Sequence, residues 1–330
     1  MLPETPSTMK PLVTPRLIEH PDDIFAVDAE YLHPGHAAVH IIRQNGRAAF
    51  VDTGTNGSVP YLLAALDRLG VAREAVDYVF LTHVHLDHAG GAGTLMKALP
   101  NAKAILHPRG APHMVEPAKL AAGARAVYGD ETFDSLYGEI VPIPADRVVS
   151  VPDGYRCDLA GRPLELIHTP GHALHHYAII DTAHANVFAG DTFGVSYREL
   201  DTPQGEFIAP ATTPAQFDPD QLIASIERLM TYSPQSVYLM HYSRVTGVPR
   251  LAGLLIAQVH EYVRIAREHA DSPDAHNEIR KAMLSLWLRL LQRQGSTIPA
   301  SEVASKLEID LELNAQGLIA WLERERKAKH

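Results

Sequence analysis

The stretch Leu81-Thr82-His83-Val84-His85-Leu86-Asp87-His88-Ala89-Gly90-Gly91 directly follows an apolar strand pattern and directly precedes a helical one. His83, His85, Asp87 and His88 are all potential metal ligands. In an extended segment, His83 and His85 project to the same side, so both can reach one ion. The chain then turns and points Asp87 and His88 at a second position. Gly90 and Gly91 permit tight backbone beside the site and entry into the helix. Capping or solvating a polar loop does not call for such a run, and its spacing reads as a metal-binding turn at a strand end.

Three later segments repeat this logic. Leu164 to Ile167 leads into Thr169-Pro170-Gly171-His172, Val187 to Ala189 into Gly190-Asp191-Thr192, and Val237 to Met240 into His241. Strand ends of one sheet open onto a common edge, where functional groups of α/β proteins gather. From Ala37 to about Val248, short β-branched or aromatic runs alternate with helical patterns such as Val59 to Leu69, Gly91 to Leu99 and Pro219 to Thr231. The pattern predicts an α/β domain over 15–248. Residues 1–14 read as an extended proline-rich arm. Beyond Pro249, Leu251, Leu255, Val259, Tyr262 and Ala266 recur at helical spacing, as do Ile279, Met283, Trp287 and Leu290. Ser272 and Pro273 read as the cap and first residue of that second helix. Shorter helical patterns follow near Ala300 to Leu307 and Leu313 to Glu325, making 249–330 a helical C-terminal region.

These motifs resemble the metallo-β-lactamase superfamily. Its H-x-H-x-D-H stands at His83 to His88, its T-P-G-H at Thr169 to His172, its G-D at Gly190-Asp191 and its last histidine at His241. Val51-Asp52-Thr53-Gly54 is similar to the family's early strand-end aspartate. The resemblance implies a four-layer αββα sandwich. It also implies one metal held by His83, His85 and His172, a second held by Asp87, His88 and His241, and Asp191 bridging. His176 matches a second histidine often found after T-P-G-H and is expected to support the ligands from behind, or simply to pack. Asp52 is expected to orient a ligand histidine through its other ring nitrogen.

Composition sets limits on the partner. The 330 residues carry 29 basic and 39 acidic side chains, a formal charge of −10, which argues against nucleic acid and anionic membranes. Residues 251–330 hold 11 of each sign, so the acidic excess belongs to the α/β part. Although Ser301 to Leu322 superficially resembles a helix-turn-helix, that neutrality favours packing over DNA binding. The single cysteine, Cys157, excludes an intrachain disulfide and a thiolate-clustered metal site. With no apolar signal-peptide core and no long apolar run, a cytoplasmic location is expected. Histidine is abundant, at 19 residues, and the motifs account for five of them as ligands. His107, His113, His168 and His175 read as structural.

Imidazole and carboxylate ligands suit zinc first, with iron or manganese as alternatives. Two such ions about 3.5–4 Å apart share and acidify a water. The expectation is therefore a dinuclear hydrolase using a metal-bridging hydroxide on a small ester, lactone, thioester or related substrate. Asp87 is the expected proton carrier. The alternatives are iron-dependent oxygen or sulfur chemistry, and a regulatory protein that retains the metals. Tyr197 and Arg198, shortly after Asp191, are candidate substrate contacts. Arg109 to Gly138, with Tyr128, Phe133 and Tyr137, reads as a lid or a packed insertion. The C-terminal apolar stripes are expected to cover the mouth of the site or to form a homodimer interface.

Overall fold

Neighbouring residues of the central strands are buried on opposite faces, so both faces need cover. Ile41 and Phe50 point to one apolar cluster while Ile42 and Val51 point to another; Ile179 and Ile180 divide in the same way. Two stacked sheets with helices outside each satisfy that demand. The structure is a computed structural model and describes residues 13–213 and 216–328. The expected arm, 1–14, therefore lies almost wholly outside the described residues.

The first sheet runs β1 (Leu17–His20), β2 (Ile24–Asp28), β3 (Ala38–Gln44), β4 (Arg47–Val51), β5 (Val76–Phe80), β6 (Lys103–Leu106) and β7 (Val148–Ser150), in that spatial order. Its first four strands are antiparallel neighbours, and β4 to β7 are parallel. Parallel neighbours need crossovers, and helices supply them. The crossovers are α1 (Val59–Leu69), then α2 (Leu86–Ala89) with α3 (Ala92–Ala98), then α4 (Ala111–Val115), α5 (Ala118–Tyr128) and α6 (Asp130–Leu136). The second sheet comprises β8 (Tyr155–Leu159), β9 (Arg162–His168), β10 (Tyr177–Asp181), β11 (Asn186–Gly190), β12 (Ser236–Leu239) and β13 (Ser243–Val245), adjacent in sequence order. Its one parallel pair, β11 with β12, is joined through α7 (Pro219–Met230). Asp218 caps α7 by accepting from the Gln221 amide at 2.9 Å, and Pro219 starts it.

The sheets meet through Ile42, Val51 and Phe80 on one side and Leu166, Ile179 and Phe188 on the other. Leu62, Leu66 and Leu95 cover the first sheet's outer face. The second is covered by α7 and by α8 (Val248–Glu268), α9 (Ala275–Arg293), α10 (Ala300–Lys306) and α11 (Glu308–Ala328). This is the expected αββα sandwich with a helical C-terminal region. Trp287 is fully buried there and donates from Nε1 to the Tyr262 hydroxyl at 2.8 Å. Among the described residues no helix is long and apolar enough to cross a membrane.

The sequence reading misplaces two helix starts. Ser272 and Pro273 do not open α9: the Ser272 amide still bonds the His269 carbonyl, and its hydroxyl accepts from the Asp274 amide, making a turn before the helix begins. The pattern seen from Leu313 belongs to a longer helix whose first turn, Glu308 to Asp310, is polar or exposed on most sides. The short strands β1, β2, β7, β8 and β13 did not stand out in the sequence.

Candidate metal centre

The edge where β4, β5, β9, β11 and β12 end collects the motif residues. After β5 the chain stays extended through His85, at φ −62° and ψ 148°, so His83 and His85 fall on one side while Val84 enters the core. The single turn α2 then redirects Asp87 and His88. This turn is tied down from behind: the Thr53 amide and hydroxyl both donate to the His88 carbonyl, at 2.7 and 2.9 Å, and the Gly91 amide donates to Gly54. Gly190 matters at the opposite strand end. Its φ is +47°, and a Cβ there would come within 2.6 Å of His176 Nε2 and 2.8 Å of the Thr82 hydroxyl.

Two groups of side chains result, each able to hold one cation: His83, His85, His172 and Asp191, and beside them Asp87, His88 and His241. His85 Nδ1 lies 2.8 Å from His83 Nε2 and 3.1 Å from His172 Nε2. His241 Nε2 is 3.3 Å from Asp87 Oδ2. Asp191 faces both groups, with Oδ1 3.2 Å from His88 Nε2 and Oδ2 3.3 Å from His172 Nε2.

Hydrogen bonds on the far side of each ring fix which nitrogen faces inward. Carbonyl oxygens only accept, so Nδ1 of His172 must donate to Ala211, at 3.0 Å, and Nδ1 of His241 to His36, at 2.9 Å. Asp52 accepts from His88 Nδ1 at 2.9 Å and from the Thr82 amide and hydroxyl, both at 2.8 Å. Because the Thr82 proton goes to Asp52, its oxygen is left to accept from His83 Nδ1 at 3.1 Å. With Nδ1 engaged in this way, the Nε2 atoms of His83, His88, His172 and His241 are the ones that face the centre. Asp52 itself has φ 62°, a sparsely populated conformation of the kind that gathers at functional sites.

The donor set fits cations. His88 Nε2 and Asp191 Oδ1 are buried and have no hydrogen-bond partner among the described residues. Burial and the surrounding imidazoles hold His83 and His85 well below the usual histidine range. Burial also opposes charge on His88, yet Asp191, Asp87 and Asp52 outweigh it and raise that ring well above its usual value. Burial likewise pushes Asp87 and Asp191 up, but His88, with His241 or His172, prevails and holds both carboxylates low. Such a centre asks for positive charge, and neutral imidazole with carboxylate suits a borderline divalent ion.

His176 does not face either group. Its Nε2 accepts from the Asp191 amide at 3.2 Å, and its Nδ1 donates to the hydroxyls of Thr169 and Thr192, at 2.8 and 3.0 Å. It positions Asp191 through the backbone. Asp52 positions His88 through its ring, and reaches His83 only through the Thr82 hydroxyl.

Above the centre lies a cavity of about 680 Å³ whose lining includes His85, Asp87, Asp191 and His241. Tyr197 lines it, stacks on His36 at 5.3 Å and donates its hydroxyl to Asp310 Oδ1 at 3.1 Å. Arg198, the other candidate contact, does not line it. Its guanidinium turns back to the Ser196 carbonyl, at 2.7 Å, and to Asp201, at 3.4 Å, because the short 3₁₀ turn after Tyr197 directs successive side chains apart. The stretch Arg109 to Gly138 walls the cavity through α5, with Tyr128 at the lining while Phe133 and Tyr137 are buried. His113 and His175, read as structural, also line it, whereas His107 packs against His168 with the ring centres 4.6 Å apart. From the C-terminal region it is α11, and not the stripes of α8 and α9, that reaches the mouth. Asp310 was missed in the sequence. Its carboxyl is pushed up to about 6 by burial, with His241 and the Tyr197 hydroxyl acting against that rise.

The comparisons agree with this architecture. Residues 32–241 match the model of the metallo-beta-lactamase superfamily, and the chain belongs to that family. It is 27% identical over 212 residues to a metallo-beta-lactamase fold-containing protein of Sulfurisphaera tokodaii, covering 63% of this chain and 73% of that one. It is also 27% identical over 205 residues to a hydroxyacylglutathione hydrolase of Aeromonas hydrophila, covering 62% of this chain and 60% of the relative. A metallo-beta-lactamase family protein of Thermus thermophilus superposes with a TM-score of 0.66 at 20% identity, over 92% of this chain and 94% of that one, which is a likeness of fold.

Proposed function

We propose that the protein is a hydrolase of esters, thioesters or lactones that works with two divalent metal ions, zinc first among them. The observation that carries this reading is the pair of ligand groups joined by Asp191 at the floor of a cavity. His83, His85 and His172 would hold one ion, Asp87, His88 and His241 the other, and Asp191 both. When bound, such ions supply an acidified water and a positive contact for the substrate carbonyl oxygen.

The chain's own residues do the rest. Thr82, Ala211 and His36 occupy Nδ1 of His83, His172 and His241, and the Asp52 carboxylate occupies Nδ1 of His88, so that Nε2 is the atom each ring would offer to an ion. Asp87 is the carboxylate with the most open position on the cavity floor, its side chain one-fifth exposed. It is placed to take a proton from the attacking water at Oδ2 and return it to the leaving oxygen or sulfur. Tyr197 would meet the substrate with its ring edge and its oxygen lone pair, since its proton is committed to Asp310. Lys119 is the only lysine or arginine among the lining residues, which favours a substrate of low charge over a polyanion or a glutathione conjugate.

The test is turnover of lactones, thioesters, phosphodiesters and persulfides by metal-supplemented protein. Hydrolysis of an ester, thioester or lactone supports the reading. Oxidation of persulfides by iron-loaded protein, without hydrolysis, would replace it.

A further inference from the structure

Large apolar side chains left in solvent are costly, and a cluster of them marks something that binds there. Among the described residues, Ile18, Leu32, Val127 and Ile309 are the exposed large hydrophobic residues. Three of the four line the cavity above the metal centre: Leu32 at 38% exposed, Val127 at 44% and Ile309 at 42%. They come from three separate places, the loop between β2 and β3, helix α5 and helix α11. Their convergence on one mouth is therefore not a by-product of one amphipathic element.

Helix α5 sharpens the point. It buries none of its eleven residues, although it carries Leu120, Ala124, Val127 and Tyr128 at helical spacing. That face lines the cavity. Helix α11 lines the same cavity with Ile309 and Leu313, one turn apart, among the polar residues Asp310, Glu312, Asn314 and Gln316. Both helices thus bring apolar side chains to one cavity, and Leu86, next to Asp87, carries the same character down to the ligands. A volume of about 680 Å³ falls within the range of small-molecule sites and exceeds what the scissile group of an ester needs.

We infer that this cavity takes the apolar acyl chain of the substrate, held between α5 and α11, with the scissile carbonyl at its floor. The inference rests on the hydrolase reading and narrows it to acyl esters, thioesters or alkyl-substituted lactones with a hydrocarbon tail. The reaction is plain hydrolysis: water adds to the carbonyl carbon, the carbon–oxygen or carbon–sulfur bond breaks, and the leaving group departs with a proton as the alcohol or thiol.

The experiment is a chain-length series. The metal-loaded full chain is assayed with p-nitrophenyl acetate, butyrate, hexanoate, octanoate and decanoate, each kcat/KM divided by the rate constant of the same ester with hydroxide. A tail entering the cavity raises the corrected kcat/KM about two- to fourfold per methylene until the space is filled. A flat or falling series overturns the inference while leaving the hydrolase reading intact. Val127→Glu and Ile309→Glu place charge on exposed positions and should leave the thermal midpoint close to wild type. Both should cut the decanoate-to-acetate ratio at least tenfold, and an unchanged ratio in both overturns the inference. If no ester or thioester is turned over, the hydrolase reading fails separately. Calorimetry with butanoate through decanoate then decides the cavity's role: affinity that rises with length supports an apolar tail, and affinity independent of length rules it out.

Discussion

The floor and the walls of the cavity are built by opposite means. The floor is a set of polar side chains at strand ends, mostly buried, and His83, His88, His172 and His241 are each held from behind by a second partner, Thr82, Asp52, the Ala211 carbonyl and the His36 carbonyl. The walls include apolar residues of α5 and α11, half-buried or exposed, and Leu120, Ala124 and Tyr128 of α5 rest by packing on the core of the first sheet. Strand ends of stacked sheets give the rigidity that positioned charge needs, since small displacements of donors are expensive in a dry site. Helices laid over the edge give a surface that can differ without disturbing that chemistry. Changes to the floor should therefore alter metal content and turnover, and changes to the walls should alter which substrate is used.

The sharpest way to break this contrast is at Asp191, the carboxylate shared by both ligand groups. Asp191→Ala should abolish detectable hydrolysis and lower metal affinity by more than about 100-fold, beyond what supporting residues usually cost. Metal analysis after dialysis, alongside the ester assay, checks it. Trp287→Ala probes the foundation of the wall, because Trp287 ties α9 to α8 beneath α11. It should cost about 3–5 kcal/mol in denaturant unfolding, as other large buried side chains do. Asp52→Ala should lower metal affinity about 10–100-fold with the ligands themselves intact. A titration against a metal-binding dye reads that loss.

A smaller effect separates Asp310 from the floor. Burial raises its carboxyl to about 6 in the metal-free fold, against an unfolded value of about 4. The folded form thus holds its proton to higher pH. Stability on this account is fully present below about pH 4, declines as pH rises through the window to about 6, and does not recover above it. Asp310→Asn carries no such charge. Its thermal midpoint should match wild type near pH 4 and exceed it at pH 8 by the equivalent of about 2–3 kcal/mol. The smallest effect is expected at Arg198, which turns away from the cavity. Arg198→Ala should leave kcat/KM within about twofold, and a larger drop would mean that the segment after Tyr197 reaches the substrate.

The same contrast explains what could be read in the sequence. His83 to His88, His172, Asp191 and His241 each follow an apolar strand run at once, so local spacing already places them on one edge. Asp52 was legible for the same reason, at the end of β4. The walls were not. Leu32, Val127 and Ile309 lie on unrelated segments, and each taken alone is an ordinary surface hydrophobe. Asp310 sits in the first turn of a helix whose polar start hid its true beginning, and only packing brings it to Tyr197. Arg198 turns away from the cavity, because adjacency to Tyr197 in sequence says nothing about side-chain direction in a tight turn.

The central claim is that the strand-end floor holds two metal ions. Metal content per chain, measured by elemental analysis after supplementation and removal of loose metal, tests it most directly. Close to two equivalents of divalent transition metal is the predicted result, falling below one in Asp191→Ala. Fewer than one equivalent in the wild-type chain after the same treatment would contradict it.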